Sequence, residues 1–301
     1  MSKFVKIVEV GPRDGLQNEK QALTVEQRLN FINDLISAGL KSIEVGSCVS
    51  AKWVPQMAQS DELFKLLPQT TDVQFSLLTP NIKGFETAQA VGCKEVAVFT
   101  AASESFTRKN INCSIDESFE KFSDVMSAAK AHNIRVRGYV SCIVDCPYEG
   151  AIAPEQVVKV VKRLYDMGCY EVSLGETIGT ATPDRVQKVW QACLAELDSK
   201  VLAGHFHNTY GMAIANIYQS LQQGIRVFDS SLAGLGGCPY AKGASGNVST
   251  EDLFYLLSHM GFETGINLEK LMQASQNISN VLNRKSLSNY ANAYWQTKCA
   301  S

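Results

Sequence analysis

The chain has 301 residues, of which 45% are hydrophobic and 19% charged, the composition of an ordinary globular protein. Its 28 basic and 30 acidic residues leave a net charge of −2, which gives no indication of nucleic acid or an anionic membrane surface as partner. No stretch approaches the ~18 apolar residues of a membrane span. We therefore predict neither a nucleic-acid partner nor a membrane partner.

Cysteine usage and the amino terminus both indicate the cytoplasm. The nine cysteines are an odd, scattered set, which is typical of reduced thiols rather than of a disulfide framework. Only Met-Ser-Lys precedes the first strand-like stretch, which leaves no room for a signal or transit peptide. The predicted location is cytoplasmic.

Short apolar stretches and segments of helical periodicity alternate along almost the whole chain. Eight stretches are predicted as strands: Phe4–Val10, Ser42–Val45, Val73–Leu78, Glu95–Thr100, Arg135–Val140, Tyr170–Leu174, Val201–His207 and Val227–Ser230. A first helix is predicted between the capping box Thr24-x-x-Gln27 and the helix-stopping pair Ala38-Gly39. Further helices are predicted over Asp116–His132, Pro154–Met167, Pro183–Leu197 and Tyr210–Gln223.

Eight such units predict an α/β fold, the (β/α)8 or TIM barrel. A doubly wound sheet is the alternative, but Gly11-Pro-Arg-Asp-Gly15 follows the first strand where a dinucleotide-binding fold would have Gly-x-Gly-x-x-Gly. We predict one catalytic domain over residues 1–301, with a core at about 4–262. A helical extension at about 264–301 is expected to pack on the outside of the barrel or on a second subunit.

Polar residues recur where the predicted strands end, which is the end of a (β/α)8 barrel that carries chemistry. Each has an ordinary structural explanation, such as a turn cap, a helix-terminal carboxylate or an ion pair between Arg13 and Glu44. Their repeated occurrence at one end of the barrel nevertheless favours a shared site. The residues are Arg13, Asp14, Gln17, Glu44, Arg137, Glu176, His205, His207 and, after a glycine-rich loop, Asn247.

A divalent cation would suit part of this set. His205 and His207 are two apart, so in a strand they face the same way, although two partly buried structural histidines would give the same pattern. Asp14, His205, His207 and Asn247 offer carboxylate, imidazole and amide ligands for Mg²⁺ or Mn²⁺. Such an ion is a Lewis acid toward a substrate oxygen. Arg13 offers positive charge for an enolate, and Cys238 in the glycine-rich loop offers a thiol for proton transfer.

The chain resembles the hydroxymethylglutaryl-CoA lyase family, within the metal-dependent lyase and Claisen-condensing barrel group, over nearly its whole length. The first matching motifs are Val10-Gly-Pro-Arg-Asp-Gly-Leu-Gln-Asn-Glu19, Ser50-Ala-Lys-Trp-Val-Pro-Gln-Met57 and Asn110-Ile-Asn-Cys-Ser114. Later matches are Arg137-Gly-Tyr-Val-Ser-Cys142, Cys146-Pro-Tyr-Glu-Gly150, Ser173-Leu-Gly-Glu-Thr-Ile-Gly179 and Asp229-Ser-Ser-Leu-Ala-Gly-Leu-Gly-Gly-Cys-Pro-Tyr-Ala241. The last motif, with Cys238, is typical of the lyases rather than of most condensing relatives.

The resemblance implies retro-Claisen cleavage of 3-hydroxy-3-methylglutaryl-CoA to acetyl-CoA and acetoacetate, the reaction of leucine degradation and ketone body formation. It implies an acyl-CoA substrate, a homodimer, and a divalent cation, Mg²⁺ or Mn²⁺, held by Asp14, His205, His207 and Asn247. The implied catalytic residues are Arg13, Glu44, His205 and Cys238, with Arg13, Gln17 and Glu176 contacting substrate.

Two positions depart from the family pattern, which usually has aspartate where this chain has Glu176 and Asn208. These departures bear on the acyl group accepted and on any proton-transfer role at position 176. The alternatives are a related acyl-CoA lyase or Claisen-type synthase acting on another 3-hydroxyacyl-CoA, and a catalytically silent barrel that binds acyl-CoA or metal. The intact Arg13, Asp14, histidine pair and Cys238 speak against the silent barrel.

Overall fold

A computed structural model describes residues 3–69, 72–237 and 246–299 of the chain. Its central feature is a closed barrel of eight parallel strands, in the order β1-β2-β3-β4-β5-β8-β9-β10. The strands are β1 (Lys6–Glu9), β2 (Ser42–Ser47), β3 (Gln74–Leu78), β4 (Glu95–Ala101), β5 (Arg135–Ser141), β8 (Glu171–Glu176), β9 (Leu202–Phe206) and β10 (Val227–Ser230). The predicted (β/α)8 barrel is confirmed.

The barrel strands are buried along nearly their whole length because helices cover their outer face while other strands face them inside. This explains why they read as continuous apolar stretches. The prediction missed an antiparallel hairpin, β6 (Asp145–Cys146) and β7 (Gly150–Ala151), whose two-residue strands are too short to show a period.

The helices that cover the barrel follow local start signals. The Thr24–Gln27 capping box opens the first helix as predicted, and a second box, Ser114–Glu117, opens the fifth. The helices are α1 (Val25–Ser37), α2 (Ser60–Leu66), α3 (Ile82–Ala90), α4 (Glu104–Ile111), α5 (Ile115–His132), α6 (Pro154–Asp166), α7 (Pro183–Leu194), α8 (Ala213–Gln222) and α9 (Thr250–His259). The prediction missed α2, α3, α4 and α9. The first three have only seven to nine residues, which span too few turns for a clear period.

The carboxyl-terminal extension forms two helices, α10 (Leu268–Val281) and α11 (Asn289–Cys299). The Asn277 side chain of α10 donates a 2.9 Å hydrogen bond to Asp34 on α1. Asp252 on α9 accepts 2.8 Å hydrogen bonds from Ser288 and from the Tyr290 N–H at the start of α11. The extension therefore packs on the outside of the barrel, one of the two predicted placements. Among the helices of residues 3–69, 72–237 and 246–299, none combines the length and the apolar composition of a membrane span.

Candidate metal-binding active site

Three potential metal ligands meet at the carboxyl-terminal end of the barrel. One ligand atom each from Asp14, His205 and His207 lies within 4.8 Å of the other two. The two imidazole rings have centroids 5.2 Å apart, whereas Phe206 between them is buried on the other side of β9. The predicted same-face arrangement of the two histidines is thus present.

A tight turn after β1 supplies the carboxylate. Gly11–Gly15 forms a five-residue π-helical turn in which the backbone N–H groups of Arg13 and Gly15 both donate to the Val10 carbonyl at 3.1 Å. Gly15 packs so closely on the loop after β10 that an added Cβ would lie 2.8 Å from the Leu235 Cβ. The turn therefore presents Asp14 to the barrel mouth, beside that loop.

Asn247, the fourth predicted ligand, lies beside the cluster. It forms an isolated antiparallel bridge with His207, and its side-chain amide donates to Asp14 Oδ2 at 2.9 Å and to the Leu235 carbonyl at 3.3 Å. The structure therefore brings all four predicted ligands together, from β1, β9 and the loop after β10.

The charge state of the cluster suits a divalent cation. Burial and the neighbouring His205 lower the pKa of His207 to about 4, so this ring is neutral at pH 7. Burial alone would raise the pKa of Asp14, but Arg13 and the two histidines outweigh it and lower that pKa. The His207 Nδ1 atom is buried with no hydrogen-bond partner among the described residues. An anionic carboxylate beside a neutral imidazole with an unpaired nitrogen fits a bound metal.

A buried network lies behind the metal cluster, and Arg137 is its only member that was expected at the site. Asp229 accepts from His205 Nδ1 at 3.2 Å and from Arg137 at 2.8 Å, and Arg137 also donates to Glu171 at 2.7 Å. Burial alone would lower the pKa of His205, but the Asp229 carboxylate outweighs it and raises that pKa. A carboxylate on the second ring nitrogen fixes the orientation of a metal-binding histidine. The signal in the sequence was a charged residue within the apolar stretch Val227–Ser230.

Arg13 is held between two carboxylates. Its Nε and Nη2 atoms lie 2.6 Å from Glu44 Oε2, and its Nη1 lies 2.7 Å from Asp14 Oδ1. Tyr139 also donates to Glu44, at 3.5 Å, and accepts from Arg137 at 2.7 Å. Burial alone would lower the pKa of Arg13, but Glu44 and Asp14 raise it, so the guanidinium stays charged beside the cluster. Glu44 thus orients Arg13 through the ion pair.

The cluster opens into a cavity of about 220 Å³. Arg13, Asp14, Gln17 and both histidines line one part of it. Apolar and polar side chains complete the wall, among them Leu78, Phe99, Phe106, Asn110, Tyr139 and Thr177. A larger cavity of about 830 Å³ lies at the opposite end of the barrel, around Lys6, Gln74 and Arg135, and none of the predicted site residues lines it.

Glu176 and Cys238 stand apart from the other predicted site residues. Glu176 is fully buried, is not among the residues that line the cavity and accepts a 3.2 Å hydrogen bond from the Thr180 N–H. Burial raises its pKa to about 7. It therefore holds the loop after β8 from behind the cavity wall. Cys238 lies outside the described residues. Asn208, the other departure from the family pattern, accepts from the Ala213 N–H at 3.2 Å, at the start of α8.

The fold and this cluster define a (β/α)8-barrel protein with a candidate divalent-metal site at the carboxyl ends of its strands. The chain belongs to the HMGL-like family, whose model matches residues 4–278. It is 58% identical to hydroxymethylglutaryl-CoA lyase of Pseudomonas mevalonii over 275 residues, 91% of each chain. It is 54% identical to 3-hydroxy-3-isohexenylglutaryl-CoA/hydroxymethylglutaryl-CoA lyase of Pseudomonas aeruginosa over 293 residues, 97% of this chain and 98% of the relative. A crystal structure of hydroxymethylglutaryl-CoA lyase from Pseudomonas aeruginosa superposes with a TM-score of 0.97 at 54% identity, covering 99% of each chain.

Proposed function

We propose that the chain is a lyase that cleaves 3-hydroxy-3-methylglutaryl-CoA to acetyl-CoA and acetoacetate. The observation that carries the proposal is the cluster of Asp14, His205 and His207 beside a fixed Arg13, within a chain that matches lyases over nearly their whole length. The cluster lines a cavity at the carboxyl end of the barrel, where enzymes of this fold carry their chemistry.

Asp14, His205, His207 and Asn247 would hold the metal, Mg²⁺ or Mn²⁺. A bound divalent cation supplies Lewis acidity toward the oxygens of the substrate. Asp229 would hold His205 in the orientation that leaves its other nitrogen for the metal, because Nδ1 is hydrogen-bonded at 3.2 Å.

Arg13 would stabilise the negative charge that develops when the carbon–carbon bond breaks. The bond's electron pair passes to the acetyl-CoA fragment as an enolate, while the 3-hydroxyl gives up its proton and becomes the ketone of acetoacetate. The enolate carbon takes up one proton in return, so the reaction needs no further reactant. Because Glu44 and Asp14 already hold the guanidinium in place, little reorganisation is needed as the enolate forms. We propose that Cys238 takes part in the proton transfer that completes acetyl-CoA.

Gln17 lines the cavity and would contact substrate directly. Glu176 would act on substrate through the loop that includes Thr177, a residue that lines the cavity. We also propose a homodimer in the cytoplasm that acts in leucine degradation, since the family resemblance implies the dimer and the pathway.

The direct experiment is to incubate the purified protein with Mg²⁺ and 3-hydroxy-3-methylglutaryl-CoA and to measure acetoacetate. We expect product, and we expect EDTA to abolish its formation. Arg13→Gln and His205→Ala should each lower kcat by about 10²-fold or more, since both act on developing charge. Arg163→Gln, on the exposed face of α6, is the matched control and should retain full turnover. Absence of acetoacetate from wild-type protein with Mg²⁺ or Mn²⁺ would refute the proposed activity.

A second candidate is cleavage of a substrate with a longer 3-alkyl group. One relative at 54% identity is named for both 3-hydroxy-3-isohexenylglutaryl-CoA and hydroxymethylglutaryl-CoA. Leu78, Phe99 and Phe106 form an apolar part of the cavity wall, which suits an alkyl substituent. The two substrates should be compared by kcat/KM in wild type and Phe99→Ala. Equal loss on both substrates in the variant would show that Phe99 does not contact the 3-alkyl group.

A further inference from the structure

Ala233, at the base of the loop after β10, is a non-glycine residue in the left-handed region. Its φ is 58° and its ψ is 14°, within the 3₁₀ turn Leu232–Gly234. Left-handed backbone is disfavoured for residues with a Cβ and persists where the surroundings determine it. Ala233 is fully buried, so the groups packed around it determine its conformation.

Glu251 holds the amide side of Ala233. This α9 carboxylate is fully buried and accepts the Ala233 N–H through both oxygens, at 3.1 and 3.0 Å. Ser275 on α10 also donates to it. The preceding amide, Leu232 N–H, donates to the buried Glu9 at 2.9 Å. Two buried carboxylates therefore bind successive amides at the base of the loop.

Arg284 holds the carbonyl side of Ala233. It lies between α10 and α11, and its Nη2 donates to the carbonyls of Ala233 and Gly234 at 3.1 and 3.3 Å. Its Nη1 lies 3.0 Å from Glu19, which follows the turn that carries Asp14. The planar guanidinium can therefore bridge two segments at once, which a lysine ammonium does less well.

The base of the loop leads directly to the metal cluster. Leu235 accepts through its carbonyl from Asn247, which also donates to Asp14. The segment that leaves the barrel and the segment that returns to it touch at Gly236 and Gly246. A Cβ on Gly246 would lie 2.3 Å from the Gly236 carbonyl carbon. A change in the direction of the chain at Ala233 would therefore move the outgoing segment relative to Asn247 and Asp14.

We propose that Arg284 and Glu251 are positioning residues for the reaction. Together they hold Ala233 in its left-handed conformation. They thereby fix the position of the outgoing segment of the loop beside Asn247 and Asp14. Neither side chain lines the cavity, so their effect is on turnover rather than on substrate affinity. The effect on turnover rests on the proposed lyase function, whereas the effect on the backbone at Ala233 does not.

The test uses the full chain and three variants: Arg284→Met, Arg284→Lys and the double variant Arg284→Met with Ala233→Gly. We expect Arg284→Met to lower kcat by about tenfold or more while KM stays within about twofold, as for other residues that orient a site. Glycine adopts positive φ without a steric penalty, so the double variant should recover to within about threefold of wild type. Arg163→Met, an exposed ion-pair residue on α6, is the control and should match wild type.

A second readout does not depend on activity. Hydrogen exchange of the peptide that covers residues 230–237 should be faster in metal-free Arg284→Met and slower again in the double variant. If Arg284→Met is too unstable to purify, kcat, KM and hydrogen exchange are measured on Arg284→Lys instead, with the same direction of change expected. Normal kcat with normal exchange, a rise in KM without a fall in kcat, or no recovery in the double variant would each overturn the proposal. Loss of acetoacetate formation in wild type would instead refute the lyase function.

Discussion

His205 lies between two carboxylates with different tasks. Asp14 shares the candidate metal cluster with it, whereas Asp229 binds its Nδ1 from behind at 3.2 Å. Asp229 is in turn held by Arg137 and by Ser173, each at 2.8 Å. The orientation of the His205 ring therefore depends, through Asp229, on side chains that do not line the cavity.

At the residue scale, Asp229→Asn should weaken Mn²⁺ binding by about 10–100-fold, because an amide holds the imidazole less firmly than a carboxylate does. Isothermal titration calorimetry with Mn²⁺ measures the effect. Ser173→Ala removes one hydrogen bond to the same carboxylate and should have a smaller effect. Equal affinity in Asp229→Asn and wild type would show that Asp229 is purely structural.

Glu9 gives a pH-dependent prediction. Burial raises its pKa to about 7 from 4.5, although hydrogen bonds from Thr250, Leu232 and Gly11 oppose that rise. The folded state therefore binds a proton that the unfolded state releases, and stability is lost as pH rises from about 4.5 through 7. Glu9→Gln lacks this titration. As pH rises through this range, its free energy of unfolding should increase relative to that of wild type by about 2–3 kcal/mol, at about 1.4 kcal/mol per pKa unit. Urea unfolding at pH 5 and pH 8 measures it, and a pH-independent difference would contradict it.

At the element scale, the two ends of the loop after β10 lie against each other beside the site. Gly236 and Gly246 allow this close contact, and the Asn247 side chain connects it to Asp14 by a hydrogen bond. The carboxyl-terminal segment contributes as well, since the Leu287 N–H donates to the Ala233 carbonyl at 3.0 Å. The extension after the eighth unit is thus part of the support for the site.

Gly246→Ala should lower kcat by about 10²-fold while the protein still folds. The added Cβ would clash with the Gly236 backbone, which can relieve the clash only by moving the outgoing segment of the loop. Steady-state kinetics and thermal unfolding measure the two effects. Gly261→Ala is the comparison variant: nothing lies within 4 Å of the added Cβ, and its φ of 76° adds a backbone penalty that Gly246 does not have. The control should lose about 1 kcal/mol of stability and no activity. Comparable losses of activity in both variants would contradict a role for the Gly236–Gly246 contact in the reaction.

At the scale of the whole molecule, the metal cluster joins the first and seventh barrel strands to the loop after the eighth. The buried network from Glu171 through Arg137 and Tyr139 to Glu44 and Arg13 crosses the barrel interior behind it. A ligand that binds only the folded state stabilises it by mass action.

Mn²⁺ at about 100 times its Kd should therefore stabilise the fold by about 2.7 kcal/mol and raise Tm by about 4 °C. Differential scanning calorimetry with and without EDTA measures the shift. His205→Ala should show little or no shift, because one ligand is lost. A shift of equal size in His205→Ala would place the stabilising ion elsewhere in the molecule.

The barrel could be predicted because its evidence is local and repeated. Eight apolar stretches separated by helical segments report strand and helix burial directly, and glycines and caps mark their ends. The metal ligands could be proposed for the same reason, since parallel strands bring their carboxyl ends to one face. Asp14, His205, His207 and Asn247 all lie at that face.

What the sequence by itself determined was therefore which end of which strand each polar residue occupies. Only the tertiary structure decided which way each side chain turns and what it meets. Glu176 ends β8 and Glu44 lies within β2, yet the first carboxylate binds backbone behind the cavity wall and the second binds Arg13 at the site. Arg284 lies 51 residues beyond Ala233 in sequence and still contacts it. Local periodicity cannot report such pairs, because they are set by packing between elements that are distant along the chain.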